Sequence, residues 1–264
     1  MNFVLVHLGS FPPDYIWDCI AQIQKFSRAT IYLYTNYVHD VPSGVIKADA
    51  PKWRVEEYQA AAGWMRREGD FWDYAFRRMF IVEAICQHYE LTNVVHIEND
   101  VLIYSDPAEI KFPHRVCIPP IGPKYAAYAY TWIPYPESIV KANTAALEIA
   151  SKGYDVLMAR YGEGMVNEML IARELQKKDI IGSLPIFPGD MPVCFDGASA
   201  GQYLGGPPGA KPGWTGEHHY IGKEINAGRV KVTFESGGPW IEYGGLKKPL
   251  HNLHVHNKRL KEWM

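Results

Sequence analysis

The sequence has few cysteines, and they form no pairing pattern. Cys19, Cys86, Cys117 and Cys194 lie far apart along the chain, and no two of them are spaced as CxxC. This spacing excludes a zinc knuckle and a disulfide-stapled scaffold. It predicts free thiols in a reducing compartment.

Long hydrophobic runs and an excess of charge are also missing. No stretch approaches the roughly 18 apolar residues of a membrane span, and the opening residues MNFVLVHLGSFPPD lack the charged start of a secretion signal. With 27 Lys+Arg, 29 Asp+Glu and no basic run, the sequence has no cluster of basic residues of the kind that binds nucleic acid. We therefore expect a cytoplasmic protein without a membrane span or a nucleic-acid partner. The oligomeric state stays open.

The apolar pattern alternates between strand-like and helix-like segments. Residues 3–8 and 30–34 are short apolar or β-branched runs, and residues 15–26 between them have helical spacing. A long amphipathic helix over 72–89 then leads into a strand at 94–97. This order predicts an α/β fold with a central, mostly parallel sheet flanked by helices. The 264 residues fit a single domain, 1–264, without a linker.

The second half is less regular. Residues 137–151 and 164–177 are predicted to be helices, and glycine and proline punctuate a loop-rich segment over 188–216. Short apolar runs at 230–234, 240–243 and 253–255 predict strands that fold back onto the sheet.

An acidic motif follows the predicted strand at 94–97. Glu98 and Asp100 stand at i and i+2, so both carboxylates can point to the same side, where they repel each other unless a cation lies beside them. Oxygen ligands with open coordination positions favour Mg²⁺ or Mn²⁺ over zinc. The alternative is a solvated turn after the strand.

Histidines cluster near the C-terminus. If residues 253–256 are extended, His254 and His256 share one face, so that one imidazole can reach a metal while Lys258 faces phosphate oxygens. An imidazole among oxygen ligands favours Mn²⁺ over Mg²⁺. The alternative is a structural or surface role for these histidines, with His251 among them.

A glycine-dense segment spans residues 194–206. Asp196 and Gln202 within it can hydrogen-bond several hydroxyl groups, and Tyr203 and Trp214 offer stacking faces. These features are typical of a sugar site. A structural turn and a surface loop are the alternative, and neither GxGxxG nor the Walker pattern is present.

Two arginines lie on the helix before the acidic motif. We favour Arg78 over Arg77 as a group that neutralises a diphosphate, because Phe80 and Ile81 mark the neighbouring buried face. The alternative is a solvated helix face or a structural ion pair.

In this order the segments resemble the GT-A type of nucleotide-sugar glycosyltransferase. RRMFIVEAICQHYELTNVVHIENDVLIY is similar to the helix and strand that carry an arginine and then the DxD motif in that family. FDGASAGQYLGG and PLHNLHVHNKRLKEW resemble C-terminal blocks of a poorly characterised subgroup. The resemblance runs from about residue 3 to residue 263.

The resemblance implies an enzyme that moves a hexosyl or deoxyhexosyl group from a nucleotide-diphosphate donor, with UDP preferred, to a glycan hydroxyl. Residues 1–110 would bind the nucleotide and residues 111–264 the acceptor. It implies Mn²⁺ or Mg²⁺ on Glu98, Asp100 and His256, with His254 as the competing ligand. Glu98 stands where the family more often has aspartate.

The resemblance also implies roles for other positions. His7, Leu8, Gly9, Thr35 and Asn36 would contact base and ribose. The other donor-binding positions it implies are Arg78, Asn99 and Lys258. Asp196 and Gln202 would touch the donor sugar or the acceptor, with Asp196 as the general base of an inverting reaction or as the stabiliser of the sugar cation in a retaining one.

Two other functions remain open. A metal-dependent nucleotidyl or phosphoryl transferase would also use paired carboxylates, but it predicts a second metal or a phosphate loop, which HLGSFPPD matches poorly. A catalytically inactive sugar-binding protein of the same fold would bind its ligand without regard to Mn²⁺.

Overall fold

The protein is described by a computed structural model. The structure describes residues 1–9, 11–37, 40–51, 53–161, 166–207, 211–213, 215–216 and 218–264, with the backbone only at Glu68.

A seven-stranded sheet forms the centre of the fold. Its order is β3-β2-β1-β4-β7-β6-β8. β1 to β4 are parallel, β7 is antiparallel to both of its neighbours, and β8 is parallel to β6. This arrangement confirms the predicted α/β fold with a mostly parallel sheet. The strands are β1 (Asn2–His7), β2 (Thr30–Thr35), β3 (Val45–Lys47), β4 (Val94–Ile97), β6 (Cys117–Ile118), β7 (Tyr130–Ile133) and β8 (Gly182–Ser183).

Helices cover both faces of this sheet because its strands are apolar on both sides. Phe3 and Leu5 of β1 join the core that contains α1, and Val4 and Val6 join the core that contains α3. None of the described helices is long and apolar enough to cross a membrane. The helices are α1 (Tyr15–Phe26), α2 (Val55–Ala62), α3 (Asp70–His88), α4 (Pro136–Ala150), α5 (Tyr154–Tyr161), α6 (Glu168–Lys177), α7 (Ser199–Gly205) and α8 (Tyr220–Asn226), with 3-10 turns at Gly63–Glu68, Pro107–Glu109 and Leu260–Trp263.

The start of α6 differs from the prediction for a local reason. The side-chain oxygen of Asn167 accepts hydrogen bonds from the backbone N–H groups of Met169 and Leu170, so it caps the helix and sets Glu168 as its first residue. Residues 162–165, which include the predicted start at 164, lie outside the described residues.

The C-terminal strands do not join the central sheet, so that prediction is wrong. β9 (Val230–Glu235), β10 (Gly238–Tyr243) and β11 (Leu246–Pro249) pair with one another in a separate antiparallel sheet. Hairpin pairing between neighbouring segments satisfies their backbone hydrogen bonds locally, and Gly244 and Gly245, both with positive φ, make the tight turn between β10 and β11.

The last strand leads the histidine tail to the acidic motif. β12 (Asn252–His254) pairs antiparallel with β5 (Val101–Ile103), and in this register His254 lies opposite Val101, the residue after Asp100. α7 packs directly against β12, since a Cβ on Gly201 would stand 1.9 Å from the carbonyl oxygen of His254. Glycine at this position therefore permits the close approach.

Candidate functional site

A cavity of about 750 Å³ opens at the carboxyl ends of β1 and β4. Parallel α/β sheets bind their ligands at this edge. Its walls come from α1, α3, the start of α6, α7 and the tail after β12, so both halves of the chain line it. Its volume lies in the range of small-molecule and cofactor sites.

The acidic motif and one histidine meet on the wall of this cavity. Glu98 and Asp100 bracket the turn between β4 and β5, in which the N–H of Val101 donates to the carbonyl of Glu98. Nε2 of His254 lies 3.1 Å from Oδ2 of Asp100 and 3.4 Å from Oε2 of Glu98. The ligand atoms of Glu98, Asp100 and His254 all lie within 4.8 Å of one another, close enough to bind one metal ion.

Cationic side chains flank the same two carboxylates. Arg78 donates to Oε1 of Glu98 at 2.5 Å, and Lys258 is paired with Asp100. Burial raises the pKa of the Asp100 carboxyl, but the charges of His254 and Lys258 outweigh it and hold the pKa well below its usual range. The site therefore combines two carboxylates with positive charge on both sides.

The two histidines of the tail have different environments. Burial lowers the pKa of His254, but Asp100 and Glu98 more than compensate and raise it to about 9. The imidazole of His256 stacks on that of His254 with ring centroids 4.0 Å apart, and burial together with the charge of His254 lowers its pKa to about 2. Among the described residues it is His254, the competing ligand of the sequence analysis, that joins Glu98 and Asp100 in the cluster.

Lys258 is held towards the site by a tight turn. Its N–H donates to the carbonyl of Val255, and its φ of 62° lies in the left-handed region that residues other than glycine rarely adopt. Such strain is common at functional sites, where the surrounding structure maintains it.

Asp196 lies beneath the cavity. Its side chain is fully buried, and it is not among the described residues that line the cavity. Its carboxylate accepts hydrogen bonds from the backbone N–H groups of Ala198, Ala200, Gly201 and His254. In this position the carboxylate fixes the start of α7 and the backbone of His254.

The predicted nucleotide contacts divide into two groups. His7, Leu8 and Gly9 line the cavity at the end of β1. Thr35 is buried at the end of β2 and Asn36 is exposed beyond it, and neither is among the described cavity-lining residues.

The glycine-dense segment contributes one predicted side chain to the lining. Gln202 of α7 lines the cavity, whereas Tyr203 packs against the core. Trp214 lies outside the described residues.

Arg77 and Arg78 also separate in the structure. Arg77 is paired with Asp73 on its own helix, away from the acidic motif, while Arg78 lines the cavity beside Glu98. Asn99 lines it as well, and its Nδ2 donates to the carbonyl of Val6 at 3.3 Å.

Several buried polar atoms without a hydrogen-bond partner among the described residues belong to the wall of this cavity. A buried polar group that lacks a partner costs stability, and a polar ligand can supply the missing hydrogen bond. These atoms belong to residues that line the cavity: Arg78 Nε, Asn99 Oδ1, Glu168 Oε2, Gln202 Oε1 and His256 Nε2.

Sequence reasoning missed several residues of the lining. Glu168 was visible only as an interior residue of the helix predicted over 164–177, and His219 only as one of several scattered histidines. Phe71, Trp72 and Tyr74 precede Arg78 on α3, and Tyr74 lies one helical turn before it. Because residues four apart lie on the same face of a helix, this spacing could have placed Tyr74 beside Arg78 in the site.

Solved structures of glycosyltransferases are among those that resemble the chain. PaToxG Glycosyltransferase is 10% identical, with a TM-score of 0.43 over 67% of this chain and 69% of that one. The apo form of the glycosyltransferase GlyE of Streptococcus pneumoniae is 14% identical, with a TM-score of 0.38 over 69% of this chain and 44% of that one. No protein-family model and no curated protein matches the chain. Both likenesses are distant, so the residues of the cavity must carry the assignment of function.

Proposed function

We propose that the protein is a metal-dependent glycosyltransferase that moves a hexosyl or deoxyhexosyl group from a nucleoside-diphosphate donor, with UDP preferred, to a glycan hydroxyl. One observation carries the proposal: Glu98, Asp100 and His254 form a three-ligand cluster that Arg78 and Lys258 flank, in a cavity at the carboxyl edge of the sheet. A cluster of this kind suits a divalent cation that binds a diphosphate. The four described cysteines are free and buried, which suits the cytoplasmic location that forms part of the proposal.

The donor set fits Mn²⁺ or Mg²⁺. Two carboxylates and one imidazole provide only part of an octahedral shell, and phosphate oxygens and water suit the remaining positions. The imidazole favours Mn²⁺ of the two. Such an ion, when bound, would neutralise the charge that develops on the departing diphosphate.

The side chains around the cluster have complementary tasks in this proposal. Arg78 and Lys258 exchange part of their pairing with Glu98 and Asp100 for the phosphate oxygens, and they stabilise the leaving group electrostatically. Arg78 Nε has no partner among the described residues and is free to donate to a phosphate. His7, Leu8 and Gly9 then lie where the nucleoside would sit.

The acceptor would approach from the side of the cavity that residues 111–264 form. Tyr125 and Tyr128 line this side, and the half-buried ring of Tyr125 offers a flat apolar face of the kind on which sugars stack. Gln202 lines the cavity too, with its Oε1 free to accept a hydroxyl proton in a hydrogen bond.

The first test is nucleotide binding by thermal melting and calorimetry with UDP and GDP, each with Mn²⁺ or with EDTA. We expect UDP to raise the melting temperature only with Mn²⁺, since the cluster must hold the cation before it holds the diphosphate. At a UDP concentration 100 times the Kd, the stabilisation is about 2.7 kcal/mol.

Other results would count against the proposal. Stabilisation by a sugar without regard to Mn²⁺ would favour the inactive sugar-binding protein. No shift with either nucleotide under any metal condition would contradict the assignment of Glu98 and Asp100.

A further inference from the structure

Glu168 is a buried carboxyl group in the wall of the cavity. Its side chain belongs to the first residue of α6, is only 5% exposed and lines the cavity. Its Oε2 atom is buried and has no hydrogen-bond partner among the described residues. A buried carboxyl group with one oxygen unpaired costs stability, so its position calls for a ligand that the fold does not supply.

Charged groups at the acidic motif lie within electrostatic range of Glu168. Arg78 of α3 and Glu98 at the end of β4 are close enough to shift its pKa in opposite directions, and both line the same cavity. Tyr128 lines the cavity too, and it is close enough to Glu168 for that carboxyl to raise the pKa of its phenol. Backbone N–H groups at the start of α6 lower the pKa of this carboxyl, and its Oε2 atom is left for another partner.

We propose that Glu168 is the catalytic residue on the acceptor side, whose carboxylate takes the proton of the attacking hydroxyl. This inference rests on the proposed function. The acceptor oxygen forms a bond to the anomeric carbon, and the bond from that carbon to the phosphate oxygen breaks, with its electron pair leaving on the diphosphate. The hydroxyl proton ends on Oε2 of Glu168. A single displacement of this kind inverts the anomeric configuration.

The pKa of Glu168 sets the pH range in which it can act as a base. Burial is the main cause that raises the pKa of its carboxyl, and despite the opposing effect of Arg78 the value is about 8. A general base must be ionised, so we expect the rate of UDP release to rise as the pH rises through about 8. Asp196, for which the resemblance implies a role as general base or as stabiliser of the sugar cation, already accepts hydrogen bonds from four backbone N–H groups below the cavity.

The test compares the native protein with Glu168→Gln and with a matched control on the same helix, Glu174→Gln. Glu174 is buried, is paired with Lys177 and is not among the described residues of the lining. Three properties are measured: the affinity for UDP with Mn²⁺, the melting temperature, and the release of UDP from UDP-glucose, UDP-galactose and UDP-N-acetylglucosamine with water as acceptor.

We expect Glu168→Gln to bind UDP as the native protein does, to melt at the native temperature or above it, and to release UDP about 100-fold more slowly. Glu174→Gln should keep the native rate. The sugar released by the native protein should have the inverted anomeric configuration.

Each other result overturns the inference. If Glu168→Gln releases UDP within about threefold of the native rate, or if the released sugar keeps its configuration, Glu168 is not the base although the transferase proposal stands. If Glu168→Gln melts lower and loses UDP affinity, the carboxyl supports the fold or the donor. If the native protein releases UDP from none of the three donors, the proposed function fails, and this inference fails with it.

Discussion

Replacing Asp100 with alanine is expected to abolish the Mn²⁺-dependent binding of UDP and to lower the rate of sugar transfer about 1000-fold. Asp100 is 4% exposed and contacts both His254 and Lys258. The variant leaves Glu98 and His254 as the only protein ligands of the three-residue cluster. A metal ion contributes several kcal/mol to the stabilisation of a developing charge, and about 4 kcal/mol corresponds to a factor of about 1000.

Lys258→Met is the matched comparison. Because Lys258 pairs with Asp100, its removal should free the carboxylate and strengthen the binding of Mn²⁺ alone. The same change should weaken the binding of UDP, since a phosphate partner is lost. Titrations of Mn²⁺ and UDP against both variants measure the two effects separately. Unchanged Mn²⁺ affinity in Asp100→Ala would contradict the metal assignment.

Replacing Asp196 with alanine is expected to destabilise the fold by about 3–5 kcal/mol. The carboxylate accepts four backbone N–H groups in a fully buried position, and the variant leaves these donors without a partner. Urea unfolding of the native protein and the variant measures the difference. Asp190→Ala, which removes an exposed carboxylate from the preceding loop, is the control and should change the stability by less than about 0.5 kcal/mol.

Asp196→Asn refines this prediction. The asparagine keeps one acceptor oxygen for Ala198 and Ala200, but its NH₂ group then faces the N–H groups of Gly201 and His254, which already donate. We therefore expect Asp196→Asn to destabilise the fold, as Asp196→Ala does. An Asp196→Asn protein with native stability and no transfer activity would instead restore the role of general base to Asp196.

The sequence predicted the central sheet because the apolar pattern of each strand and helix lies within that element's own residues. β1 and β4 are short apolar runs, and α1 and α3 have helical spacing, so each element was visible without knowledge of its neighbours. The order of these elements determined a parallel sheet, and the carboxyl edge of such a sheet directed attention to Glu98 and Asp100.

The strands of the C-terminal third could not be placed from the sequence, because their positions depend on which other strands they pair with. Which strand β12 joins is decided by its register with β5, and that register puts His254 beside Asp100. The alternation along an extended tail could not choose between His254 and His256, since both lie on the same face.

Glu168 illustrates the same limit within the site. The sequence places it inside the helix predicted over 164–177, and the capped start at Asn167 is visible only in the structure. Its burial and its place in the cavity wall result from the packing of α6 against α3 and α4. For Asp196 the sequence predicted a ligand contact that the structure does not show. Its glycine-rich surroundings are typical of a ligand loop, but its carboxylate accepts hydrogen bonds from the backbone N–H groups of that loop.

The most direct test of the account is anomalous diffraction at the manganese edge from crystals of the native protein grown with UDP and Mn²⁺. We expect one strong peak between the carboxylates of Glu98 and Asp100 and Nε2 of His254, with the diphosphate of UDP bound to the same ion and close to Arg78 and Lys258. A manganese peak elsewhere in the molecule, or UDP bound outside the cavity, would contradict the account.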